Sequence, residues 1–164
     1  MEEKQESDFR TFRGYQILNR EAGLLTSAME DYLEMIYRQC RQNGYSRVGK
    51  LSALLHVKPS SASKMIFKLA DMGYVRYDRY EIIRLTESGE TAGEYLLHRH
   101  RVIEKFLRAV GSKNVLEETE LIEHSLGYFT VESLGDLLEF FRSDGGLQER
   151  YRAFRAERQK GRKE

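Results

Sequence analysis

Apolar residues recur at helical spacing through most of this chain, and one short stretch alternates instead. Tyr32, Leu33, Ile36 and Cys40 form a single stripe of a helix that runs from Ser27 to about Asn43, before Gly44. Ser27 and Glu30 have the spacing of a capping box at its start. In "VGKLSALLHVKPSSASKMIFKLADMGYVRY" the spacing predicts a short helix from Val48 to about Leu55 and a turn at His56–Lys58. A second helix begins near Pro59, whose fixed φ suits a first turn; Met65, Ile66 and Leu69 form its buried side, and Gly73 ends it. "YVRYDRYEIIRLT" then reads as two strands, Tyr74–Tyr77 and Ile82–Leu85, joined by the polar turn Asp78–Glu81. Helix, turn, helix and hairpin is the order of a winged helix; the alternative is an αα-hairpin beside an ordinary β-hairpin. A long helix follows from Thr86 to about Val110, with apolar positions 95, 96, 102, 103, 106, 107 and 110. "TVESLGDLLEFF" presents Val131, Leu134, Leu138 and Phe141 as a stripe that needs a partner, so residues 100–142 read as a dimerisation region.

The fold class is therefore mainly α: an N-terminal winged helix-turn-helix followed by a helical dimerisation domain. The expected division is an extension over 1–26, a DNA-binding domain over 27–98, a helical metal-binding and dimerisation domain over 99–144, and a basic tail over 145–164. The extension carries scattered aromatics (Phe9, Phe12, Tyr15), and the tail from Tyr151 is expected to be a frayed helix or disordered.

Composition narrows the function classes. With 164 residues, 40% hydrophobic and 32% charged, the chain suits one domain of ordinary size or two small ones. It has no apolar run long enough to span a membrane and no secretory signal, so a cytoplasmic location is expected. The single cysteine, Cys40, excludes an internal disulfide and a cysteine-rich zinc site, and its place on the apolar stripe marks it as a small core residue. The net charge of +1 conceals an asymmetry. Residues 47–84 hold eight Lys/Arg against three acids, +5, whereas residues 111–150 hold three bases against nine acids, −6. The middle suits a polyanion and the later part suits cations.

Two carboxylate groupings fall in these regions. In "ETELIEHSLG", on an ideal helix with Glu120 at zero, Glu123 lies at about 300° and His124 at about 40°, while Leu121, Ile122 and Leu126 lie opposite. Asp31 and Glu34 repeat the three-residue spacing on the first helix. Each face is ordinarily solvated; each is also able to hold a cation. On the long helix, His100 lies slightly nearer the apolar centre than His98. For nucleic acid, Ser60, Ser61, Ser63 and Lys64 open the second helix of the helix-turn-helix, the end that enters a groove. Lys58, Lys68 and the wing's Arg79 add charge for phosphates.

"MEDYLEMIY", "KPSSASKMIFKL", "HRHRVIEKFL" and "ETELIEH", taken together and in order, resemble the diphtheria-toxin-repressor family of metal-dependent regulators, most closely its manganese-transport-regulator branch. The resemblance spans about Ser27 to Phe141. It implies a homodimer with winged helices that binds double-stranded palindromic operator DNA, with divalent metal as corepressor and no membrane. The ligands it implies are Asp31 and Glu34 of "MEDYLE", His100 of "HRH", and Glu120, Glu123 and His124 of "ETELIEH". No SH3-like third domain follows Phe141, in keeping with the manganese branch. Four carboxylates and two imidazoles form a hard donor set suited to Mn²⁺, and their charge suits two ions per subunit. The iron branch has Met and Cys where this chain has Asp31 and Glu120; Fe²⁺ or another divalent ion remains the alternative. The rival functions are an iron-responsive or organic-ligand-sensing winged-helix regulator and a di-metal carboxylate enzyme. The enzyme reading lacks the Glu-x-x-His pairs and four long helices of such a bundle, and no HExxH or nucleophile motif is present, so a non-enzymatic role is expected.

Overall fold

The computed structural model describes residues 24–78 and 82–161, so most of the N-terminal extension and the wing tip with Arg79 lie outside the described residues. In chain order the elements are α1 (Ser27–Asn43), β1 (Ser46–Arg47), α2 (Val48–Leu54), α3 (Pro59–Asp71), β2 (Val75–Tyr77), β3 (Ile82–Leu85) and α4 (Glu87–Ala109). They continue with α5 (Val115–Ile122), a 3-10 turn (Glu123–Ser125), α6 (Tyr128–Ser143) and α7 (Gly145–Lys160). Two compact units divide the chain, one ending at Glu94 and the other beginning at Tyr95, with α4 running through the division.

In the first unit, α1 starts one residue earlier than its capping box suggested. Thr26 is the N-cap, its Oγ1 accepting from the Met29 N–H at 3.3 Å, and the Glu30 N–H donates to the Thr26 carbonyl at 2.9 Å. Gly44 closes the helix in the left-handed region (φ 79°), where its N–H reaches the Cys40 carbonyl at 2.7 Å. The core is Leu33 and Ile36 of α1, Leu51 of α2, Ile66 and Leu69 of α3 and Ile83 of β3, all fully buried. Each such side chain contributes about 1.5–3 kcal/mol of transfer free energy. Cys40 is half-buried with Sγ 3.8 Å from the Ile83 carbonyl, and burial pushes its thiol up, which leaves it protonated and inert.

Pro59 is the first residue of α3, as its ring demands, and the turn before it places His56 in the left-handed region (φ 52°). The sheet has the order β1-β3-β2, antiparallel throughout, with Ser46 opposite Ile83 and Val75 opposite Leu85. β1 is an addition to the expected hairpin; two residues are too few to show a period. Thr86 ties the hairpin to α4: the Gly89 N–H donates to its Oγ1 at 3.1 Å, and its hydroxyl donates to the Gly73 carbonyl at 2.6 Å. Gly93 rests against Tyr37, where a Cβ would lie 2.6 Å from the Tyr37 Cβ, so only glycine permits this approach of α4 to α1.

In the second unit, Leu96, Ile103 and Leu107 are the buried stripe of α4, with Val102 beside it and Val131 of α6 also buried. The expected tail is an ordered helix. Asp144 caps α7 by accepting from the Gly146 N–H at 2.9 Å, and the Tyr151 ring meets Phe141 with centroids 5.9 Å apart. No helix among the described residues is long and apolar enough to cross a membrane.

Candidate metal centre and nucleic-acid face

The "ETELIEHSLG" segment is not one continuous α-helix. α5 ends at Ile122, and Glu123, His124 and Ser125 form a 3-10 turn, so the rotation of an ideal helix stops applying at Glu123. The burial differs from the helical expectation at two positions. Glu123 is 2% exposed, while Leu121, expected on the buried side, is 71% exposed.

Glu123 is buried with polar partners. The His100 Nδ1–H donates to Glu123 Oε2 at 2.9 Å; a carboxylate only accepts, so the ring proton on that side belongs to Nδ1. Glu120 Oε1 lies 3.8 Å from the same Nδ1, and His124 Nε2 lies 3.8 Å from Glu123 Oε1. Two carboxylates and two imidazoles of the second unit therefore lie close together, from α4, α5 and the turn, with the Glu120 side chain 55% exposed. His100 is 8% exposed, and His98 is exposed and faces Glu132 Oε1 at 3.2 Å. His100 lies about 40° from the buried Leu96 on the helix, closer than expected, because half-buried Tyr95, Phe106 and Val110 had drawn the apparent centre away.

These donors fit a hard divalent cation. A buried carboxylate is stabilised best by a positive charge, and these oxygens and ring nitrogens are donors of the kind such an ion takes. In the first unit, Asp31 is half-buried and Glu34 buried on α1, contrary to a simple solvated face. Arg38, one turn on, donates to Glu34 Oε1 from Nε at 2.9 Å and from Nη2 at 2.5 Å.

The nucleic-acid candidates cluster on and before α3. Lys58, Ser60, Ser61, Lys64 and Lys68 are exposed; Ser63 is half-buried and its hydroxyl donates to the Pro59 carbonyl at 3.0 Å, so it serves the helix itself. Arg79 lies outside the described residues. Two cations were passed over. Arg76 and Arg84 are exposed and directly opposite each other in the β2–β3 register, with Arg84 Nη1 3.9 Å from Asp78 Oδ2. Like charges opposed on a ladder repel, and a phosphate would relieve them. The alternation in "VRY" and "IIRL" is the signal that places both on the open face.

Comparison with known proteins bears on both regions. The profile described as "Iron dependent repressor, N-terminal DNA binding domain" matches residues 24–83, and "Iron dependent repressor, metal binding and dimerisation domain" matches residues 86–149. The chain is 39% identical over 121 residues to the HTH-type transcriptional regulator MntR of Geobacillus thermodenitrificans, covering 73% of this chain and 86% of that one. Among solved structures it is similar to the manganese regulator SloR (TM-score 0.59, 28% identity, 68% of this chain). It is also similar to a manganese-dependent transcriptional repressor in complex with manganese (TM-score 0.56, 30% identity, 68% of this chain). The match spans 54% and 53% of those two chains, about half their length.

Proposed function

The chain belongs to the iron-dependent repressor family, one of DNA-binding metal-responsive regulators and not of enzymes, and from that premise we propose that it represses manganese-uptake genes in response to Mn²⁺. It acts as a homodimer on a palindromic operator in the cytoplasm. Ser60, Ser61 and Lys64 of α3 enter the major groove, Ser63 steadies that helix end, and Lys58, Lys68, Arg76, Arg79 and Arg84 hold phosphates.

The metal ligands are Asp31, Glu34, His100, Glu120, Glu123 and His124, for two ions per subunit. The observation that carries this reading is Glu123, a carboxylate 2% exposed that faces two imidazoles. A buried acid with those neighbours suits a cation better than a packing role. Oxygen at Asp31 and Glu120 favours Mn²⁺ over ions that prefer sulfur. A bound divalent ion supplies the positive charge that four carboxylates can share. Asp31 and Glu34 stand on α1 of the DNA-binding unit and the other four ligands in the second unit. A ligand set drawn from both units favours one arrangement of the dimer, the one whose recognition helices match two half-sites.

Equilibrium dialysis of the full chain against Mn²⁺ tests the site. Two ions per chain are expected, falling to one or none when Glu123 is replaced by Gln. Uptake that is unchanged in that variant would overturn the assignment.

A further inference from the structure

Phe67 belongs neither to the core nor to the polar residues assigned to DNA, yet it stands 55% exposed in the middle of α3. On an ideal helix with Ser60 at zero, Lys64 lies at about 40°, Lys68 at about 80° and Phe67 at about 340°. The buried Ala62, Ile66 and Leu69 lie between about 180° and 240°, so Phe67 shares the outer face with Ser60 and Lys64. Its ring is braced on that face. Tyr77 of β2 meets it edge to face, with centroids 5.2 Å apart and planes at 85°, which limits the rotamers it can take.

An apolar ring flanked by cations selects its partner. A protein surface apolar enough to cover Phe67 would also strip water from Lys64 and Lys68, both exposed beside it, and a buried unpaired charge is costly. Duplex DNA meets both demands. Its phosphates and base edges take the cations, and its major groove offers one apolar group, the C5-methyl of thymine. A phenyl ring carries no hydrogen-bond donor or acceptor, so it reads no other group on a base edge.

We propose that Phe67 is a specificity-determining residue: its ring, braced by Tyr77, packs on a thymine methyl in each half of the operator and makes a T·A pair preferred there. The inference rests on α3 as the recognition helix and adds to it a contact without charge. Salt weakens the attraction of the lysines for phosphate, whereas the methyl contact is discrimination that salt leaves in place.

The test uses the full chain with Mn²⁺ and a duplex that it has selected from a randomised pool. Each thymine of one half is replaced in turn by deoxyuridine, which differs only in lacking the methyl group. At one position the parent should bind the deoxyuridine duplex about fourfold more weakly, the worth of one buried methyl. Phe67→Ala should bind the two duplexes alike and keep the salt dependence of the parent. A parent indifferent to deoxyuridine at every position overturns the proposal. So does a Phe67→Ala variant that binds both duplexes more weakly but keeps the methyl preference, because Phe67 then only braces the wing through Tyr77. A parent that selects no duplex overturns the reading of α3 itself, and this inference with it.

Discussion

Replacing Glu123 by Gln separates what the side chain does for the fold from what it does for the metal. The Glu123 side chain is 3% exposed, and its Oε2 accepts the His100 N–H at 2.9 Å. The glutamine oxygen can accept the same bond, so the metal-free protein keeps it. Removing a buried charge relieves a desolvation cost while losing part of a charge-assisted bond, and the two nearly offset. In chelator, parent and variant should therefore differ by no more than about 1 kcal/mol. Metal changes the comparison, because binding to the native state alone adds about 2.7 kcal/mol at one hundred times the dissociation constant. For a chain of this size that corresponds to a rise of about 5–10 °C in Tm. Melting followed by circular dichroism, in chelator and then in excess Mn²⁺, should show this rise in the parent and almost none in Glu123→Gln. A variant that gains as much as the parent would refute the role of Glu123 as a ligand. A variant already several kcal/mol weaker in chelator would show that the carboxylate serves the fold first.

Three further outcomes are expected. Lys64→Ala should weaken operator binding with dimer and metal uptake intact; a phosphate contact lowers the salt slope by about one, a base contact removes about 1–3 kcal/mol of discrimination, and unchanged affinity counts against α3 as the recognition helix. His56 sits in the left-handed region (φ 52°), so His56→Val should cost about 1–2 kcal/mol in urea unfolding while His56→Gly costs nothing. Equal midpoints for all three proteins would remove backbone conformation as the reason. Asp31→Met exchanges a hard donor for a thioether and should shift anaerobic activation of operator binding from Mn²⁺ toward Fe²⁺, and an unchanged ratio of activating concentrations would dismiss ligand softness at that position.

The DNA-binding unit was legible because its periodicities follow burial. The stripe of α1, Pro59 at the start of α3 and the alternation in the wing all report the same core of Leu33, Ile36, Leu51, Ile66, Leu69 and Ile83. The second unit was less legible, and the reason is its polar interior. Local pattern assigned Leu121 to the inside and Glu123 to the outside; the structure has the reverse. What draws Glu123 inward is His100, on α4 and distant in sequence, and no window along one helix contains that partner. Leu116, Leu121 and Phe129 stay exposed in the single chain, in keeping with the dimerisation domain that the family profile describes. The tail was read as a frayed helix or disordered, and the order of α7 was not legible because its charged sequence hides the few contacts that hold it, Tyr151 on Phe141 among them.

The central claim is that metal occupancy and operator affinity are linked, and one titration addresses it. Full-length protein is first used with Mn²⁺ to select its sites from duplexes randomised about a two-fold axis; affinity for the selected duplex is then measured at fixed salt, in chelator and in saturating Mn²⁺. A coupling of ordinary size predicts about 5–150-fold tighter binding with the ion, reversed by chelator. The same affinity in both conditions, at an ion concentration shown by dialysis to fill the site, would contradict the account.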